Sequence, residues 1–252
     1  MPAGSGDRWP DDYELGRPGW PRAVLDVADL PSAATVLDLG AGTGKLTRLL
    51  AGTYHHVVAV EPADAMRRLL VRLCPQAQAS AGHAREIPLA DGSVDAVFAA
   101  EAYHWFDDER ALAEIARVLR AGGPLVLLWN LPAGPWEPSI ASVEALLGER
   151  LPTGGVDHDP LDLGGPRRGD GRWPSLLATA RFGPTKHVRT ANPQTLDRDG
   201  LVCYFASMGW IAELADEERL PLLDQVRSLL TPNEYRRQWT THVYRTHLRS
   251  AD

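Results

Sequence analysis

Three glycines at alternate positions follow a short apolar run in Val36-Leu37-Asp38-Leu39-Gly40-Ala41-Gly42-Thr43-Gly44-Lys45, and Asp38 stands two residues before the first of them. A strand that ends in spaced glycines and turns into a helix lets a ligand approach backbone N–H groups closely. Three cofactor classes use such a turn. A Walker loop needs G-x-x-x-x-G-K-[ST], so that amides wrap the phosphates and a hydroxyl meets magnesium. Five positions before Gly44 stands Leu39, and Leu46 follows Lys45, so that pattern fails at both ends. The dinucleotide pattern G-x-G-x-x-G begun at Gly40 finds Lys45 where its third glycine belongs. The third class places an acid beside the glycines, as Asp38-x-Gly40-x-Gly42-x-Gly44 does; a tight βα turn without a ligand is the remaining reading. Glu61 closes the next apolar run, Val58-Ala59-Val60-Glu61-Pro62. A carboxylate there accepts two O–H bonds from a diol, which a nicotinamide enzyme would also want.

Alternating elements must position these residues. Thr35 to Leu39, His56 to Val60, Val94 to Ala100 and Leu125 to Trp129 read as buried strands. Between them Leu46, Leu49 and Leu50, then Met66, Leu69, Leu70 and Leu73, then Leu112, Ile115, Ala116 and Leu119 recur at helical spacing. Gly122-Gly123 stops the last of these helices. Strands alternating with helices imply βαβ units, right-handed crossovers and a doubly wound α/β sheet. From Pro152 to Pro174 ten of 23 residues are Gly or Pro, an irregular stretch of the kind that serves as a lid or stays disordered. Beyond it we expect a strand near Lys186 to Thr190, helices near Leu196 to Ser207 and Glu217 to Leu230, and a last strand over Gln238 to Leu248. One domain, 1–252, is expected: an N-terminal segment (1–34), a cofactor-binding core (35–130), an insert (131–183) and C-terminal helices and strands (184–252).

Composition excludes several partners. Of 252 residues 44% are apolar and 23% charged, with a formal net charge of −7 and no long basic block, which argues against a nucleic-acid substrate. No apolar run approaches the roughly 18 residues of a membrane span, and the first residues lack a signal-peptide pattern, so a cytoplasmic protein is expected. Cys74 and Cys203 are too few for a disulfide framework or a cysteine-rich zinc site. Twenty-four of the 26 basic residues are Arg, a skew that reads as high-GC coding in a bacterium. His242 and His247 are five apart on a strand and so face opposite ways. Asp107-Asp108-Glu109 precedes a helix, where acids suit the positive end of its dipole. No metal is assigned.

The glycine turn with its acid resembles motif I of class I S-adenosylmethionine-dependent methyltransferases. Gly82-His83-Ala84-Arg85-Glu86-Ile87-Pro88-Leu89-Ala90-Asp91-Gly92-Ser93-Val94-Asp95 is similar to that family's segment from strand three into strand four. Arg117 to Gly123 resembles its turn before strand five. The likeness covers about residues 13 to 130 and points to the methyltransferase type 11 branch. Tyr103-His104-Trp105-Phe106-Asp107 and Leu128-Trp129-Asn130 are similar to the trans-aconitate methyltransferase-like group. The resemblance implies a seven-stranded, mostly parallel sheet in the order 3-2-1-4-5-7-6, with the last strand antiparallel and an irregular insert after strand five. It implies S-adenosyl-L-methionine as cofactor, held by Asp38, Gly40, Ala41, Gly42, Thr43, Gly44, Glu61, Pro62, Met66, His83, Ala84 and Glu101. In the family the glycines admit the amino-acid end, the acid beside them holds the ammonium, and the acid at Glu61 takes the ribose hydroxyls. His83 stands where the family often has Asp to accept from adenine.

Asp12 to Trp20 resembles the branch's cofactor-covering N-terminal segment. There Tyr13 would face the sulfonium and Arg17 a carboxylate, or the segment is an ordinary arm packed by Trp20. His104 is expected beside the methyl, either as a general base toward a hydroxyl or amine or as a structural His under the lid; a carboxylate acceptor needs no base. Trp105, Phe106 and Trp129 line an apolar pocket or belong to the core. The expected activity is methyl transfer to oxygen, hydroxyl or carboxylate, of a small molecule by a monomer or homodimer. The alternatives are a nicotinamide-dependent oxidoreductase and a non-methylating, cofactor-binding or cyclising protein on the same scaffold.

Overall fold

The computed structural model describes residues 9–150 and 181–249. The Gly- and Pro-rich stretch from Pro152 to Pro174 lies outside them. Seven strands form one mixed sheet in the order β3-β2-β1-β4-β5-β7-β6. They are β1 (Thr35–Leu39), β2 (His56–Val60), β3 (Gln78–Ser80), β4 (Ala96–Ala100), β5 (Pro124–Pro132), β6 (Lys186–Asp197) and β7 (Glu234–His247). The pairings β1–β2, β1–β4, β2–β3 and β4–β5 are parallel, with Asp38 opposite Ala59 and Phe98. Near-continuous burial along β1, β2, β4 and β5 is what a parallel sheet covered on both faces requires. The order is the one the resemblance implied.

The chain divides into two compact units. One comprises the described residues of 19–130, 164–191 and 241–252. Here helices α2 (Ala23–Asp26), α3 (Lys45–Ala51), α4 (Asp64–Leu73) and α5 (Glu109–Val118) alternate with the strands. Its core holds Val36, Leu46, Leu50, Val57, Phe98, Val126, Leu128 and Val243. Asp108 caps α5 by accepting from the Ala111 N–H at 2.9 Å, which accounts for the acidic run before that helix.

The other unit comprises the described residues of 1–18, 131–163 and 192–240. It contains α1 (Trp9–Gly16), α6 (Ala141–Gly148), α7 (Arg198–Ala206), α8 (Gly209–Ala212) and α9 (Asp216–Leu229). Trp136, Ile140, Val143, Phe205, Ile211, Val226 and Trp239 build its core. An ion pair between Asp12 and the buried Arg219 fastens α1 to α9. No helix among the described residues is long and apolar enough to cross a membrane.

Candidate functional site

The turn after β1 is built from three residues with positive φ, Gly40 at 73°, Gly42 at 57° and Gly44 at 87°. Glycine is the residue that adopts this region without steric cost. Two amides of the turn, Gly40 and Ala41, donate to the Val60 carbonyl at 2.8 and 3.2 Å, tying it to the end of β2. A Cβ on Gly40 would lie 2.7 Å from the Ala102 Cβ, so the turn after β4 packs directly on the glycine turn. Around Gly42 the reverse holds: a Cβ there would meet nothing within 4 Å. Thr43 is fully buried, Ala41 nearly so, and Gly44 is the N-cap of α3.

Two carboxylates stand behind this turn. Asp38 is 1% exposed; its Oδ2 accepts from the Thr47 hydroxyl at 2.6 Å, and its buried Oδ1 has no partner among the described residues. Burial pushes its pKa up to about 7, with repulsion from Glu61 adding to the rise and the Thr47 bond opposing it. Glu61, 3% exposed, accepts from the Gly42 N–H and the Ala63 N–H, both at 2.8 Å. Its carboxyl is also raised by burial, against the pull of those two bonds and of nearby Arg67 and His83. Thr47 was not among the residues that the sequence singled out. Its spacing of nine from Asp38, across the glycine turn that joins β1 to α3, is the signal that could have paired them.

The remaining expected residues distribute as follows. Pro62 is half-buried and Met66 buried, at the entry to α4. His83 is exposed and Ala84 buried, in a turn where the Glu86 N–H donates to the His83 carbonyl at 2.9 Å. Glu101, at a φ of 50°, accepts from the Asn130 N–H at 2.7 Å and so links the ends of β4 and β5. Asn130 in turn accepts from the Thr241 hydroxyl and donates to the Gly19 carbonyl at 3.2 Å. His104 sits in the 3₁₀ turn Tyr103–Trp105 that follows, half-buried, its ring 4.9 Å from that of Trp105. Trp129 and Phe106 are core residues, whereas Trp105 is 57% exposed. Tyr13 and Arg17 belong to the other unit. There the Arg17 guanidinium lies over the Tyr13 and Tyr204 rings and donates to Ser207 Oγ at 2.8 Å and Ser207 O at 2.9 Å.

Glycines 40 to 44, Asp38, Glu61 and the turn carrying His104 thus meet at the carboxyl ends of β1, β2 and β4. Open sheets of this kind bind ligands there. The donor set suits a ligand with a positive charge and hydroxyls: an unpartnered, buried carboxylate oxygen, a second buried carboxylate, and a backbone edge with room beside it.

Comparison with known proteins gives the same class. Residues 37–127 match the family described as methyltransferase domain. The chain is 40% identical over 219 residues to an uncharacterized methyltransferase of Mycobacterium tuberculosis, covering 86% of this chain and 82% of the relative. It is 32% identical over 167 residues to a malonyl-[acyl-carrier protein] O-methyltransferase of Methylococcus capsulatus, covering 59% and 60% of the two chains. A solved structure from Anaeromyxobacter dehalogenans superposes with a TM-score of 0.63 at 23% identity, over 92% of this chain and 97% of that one. The chain belongs to the methyltransferase family. Its cofactor is S-adenosyl-L-methionine, and the nicotinamide alternative is set aside.

Proposed function

We propose that the chain methylates an oxygen of a small molecule, with His104 as the proton acceptor when that oxygen belongs to a hydroxyl. The bound cofactor supplies an electrophilic methyl group on a sulfonium. The protein's own residues orient and deprotonate. Gly40, Gly42 and Gly44 carry no side chain, so that with Ala41 and Thr43 the turn lets the amino-acid end approach the backbone closely, and Asp38 compensates its ammonium. Glu61 takes the ribose hydroxyls, with Pro62, Met66, His83 and Ala84 around the base. Glu101 acts one step back, through the Asn130 amide that it holds.

The contact between Gly40 and Ala102 carries this reading. It brings the turn that carries His104 against the glycine turn, which supports an imidazole on the acceptor side of the methyl group. The Nδ1 atom of His104 is buried, which leaves Nε2 to take the proton. The name of the Methylococcus relative supports oxygen as the acceptor atom.

The test is a screen of hydroxyl and carboxylate acceptors for release of S-adenosylhomocysteine, with wild type and His104→Ala. Turnover of a hydroxyl acceptor is expected to fall about 10²–10⁴-fold in the variant, and that of a carboxylate acceptor to change little. Equal losses for both acceptor types would remove His104 from proton transfer. A large loss of cofactor affinity would move it to the other side of the sulfur.

A further inference from the structure

A second cleft opens at the opposite rim of the sheet, beside the amino-terminal ends of β1 and β2. Each of these strands is five residues long, roughly 16 Å of chain away from the glycine turn. The loops that enter them run together there, the His55 N–H donating to the Ser32 carbonyl at 2.8 Å. The cleft has a volume of ≈320 Å³; its lining includes Arg22, Leu25, Asp26, Asp29, Leu30 and Tyr54.

Tyr54 is the informative residue. It is 4% exposed, its ring lies against Phe98 at 6.4 Å between centroids, and its hydroxyl makes no hydrogen bond among the described residues. The buried Tyr54 ring thus presents its hydroxyl to the cleft, where a ligand can meet it. Asp26 and Asp29 form no ion pair among the described residues, nor does Arg22. Burial and the Asp26 carboxylate both push the Tyr54 pKa up, so the group stays a neutral phenol whose oxygen accepts. Two acids against one basic residue disfavour an anion, and the two leucines give a wall for methylenes.

We propose that this cleft binds a small alkylammonium ion, with its N–H groups on Asp26, Asp29 and the Tyr54 oxygen and its methylenes against Leu25 and Leu30. The site is distinct from the cofactor site and does not depend on which acceptor the enzyme methylates.

The probe is putrescine, titrated into the full chain by calorimetry at low salt, with succinate as the charge-reversed control of equal carbon number. Saturable binding of putrescine at one site is expected, with little from succinate. Tyr54→Phe and Asp26→Asn should each weaken it about tenfold, the scale of one hydrogen bond to a charged group, while S-adenosylmethionine binding stays unchanged. No saturable binding, binding by both variants as tight as that of wild type, or tighter binding of succinate would overturn the proposal. So would displacement of putrescine by S-adenosylmethionine, since the amine would then occupy the Asp38 and Glu61 site instead.

Discussion

Asp38 and Glu61 hold two carboxylates away from water at adjoining strand ends, and both titrate above the ordinary carboxylate range. For Asp38, with a folded pKa of about 7 against 3.8, the consequence has a definite sign. The protonated folded form is favoured, so its stabilising contribution is complete below about pH 4 and is lost as pH rises through about 7. The cofactor-free protein should therefore lose resistance to urea between those values, and Asp38→Asn should flatten that slope. Cofactor affinity should do the opposite in wild type, rising above pH 7 as the carboxylate becomes available to an ammonium, and it should be low in the Asn variant with a shallower pH dependence. Urea midpoints and calorimetry across pH check both; parallel profiles for the two proteins would contradict the assignment. The glycines separate packing from binding in the same way. Gly40→Ala meets both a positive φ and the Ala102 methyl, and should cost about 2–4 kcal/mol of stability. Gly42→Ala meets only the φ, should cost about 1–2 kcal/mol, and should lose cofactor affinity beyond that. Denaturation midpoints with and without cofactor distinguish the two.

At the scale of elements, Arg117 on α5 clasps the segment that leads from β3 into β4. It donates to the Leu89 and Ile87 carbonyls at 2.8 and 2.9 Å and pairs with Asp91 and Glu114. Glu114 meanwhile accepts from the Ile87 N–H at 2.9 Å. Arg117 holds the Glu114 carboxyl down to about 2. Because that pKa is lowered, the stability it brings is present above about pH 4.5 and is lost as pH falls through about 2. Arg117→Met should lower stability by about 1–3 kcal/mol at neutral pH, discounted for partial exposure, and the gap to wild type should close in acid. A gap that is constant with pH would mean that the carbonyl contacts alone matter. Elements also account for where the sequence reading stopped short. β6 was expected only over Lys186 to Thr190 but runs to Asp197, straight through Pro193. Proline breaks a central strand, yet an edge strand tolerates it, and β6 is the last strand in the sheet. Strand β3 has three residues, none buried, so it carried no apolar run to read.

For the whole molecule, the strands with continuous burial were legible because their residue types leave little choice, and the glycine turn because its backbone needs positive φ. Helices α7 and α9 lie within two residues of their expected ends. Contacts across the sheet were not legible. Glu61 was read as a ribose acceptor from its place after a strand, whereas its two bonds to Gly42 and Ala63 depend on β1 and β2 lying side by side. Likewise the bond between Glu101 and Asn130 appears only once β4 and β5 are paired.

The proposed position of S-adenosylmethionine is between the glycine turn and Glu61. Its most direct test is calorimetric titration of S-adenosylmethionine into wild type and Glu61→Gln, with circular dichroism to verify folding. The amide keeps the shape but cannot accept from both ribose hydroxyls, so affinity should fall by roughly 1.5–3 kcal/mol, about 10- to 150-fold. A folded Glu61→Gln protein that binds the cofactor as tightly as wild type would contradict it.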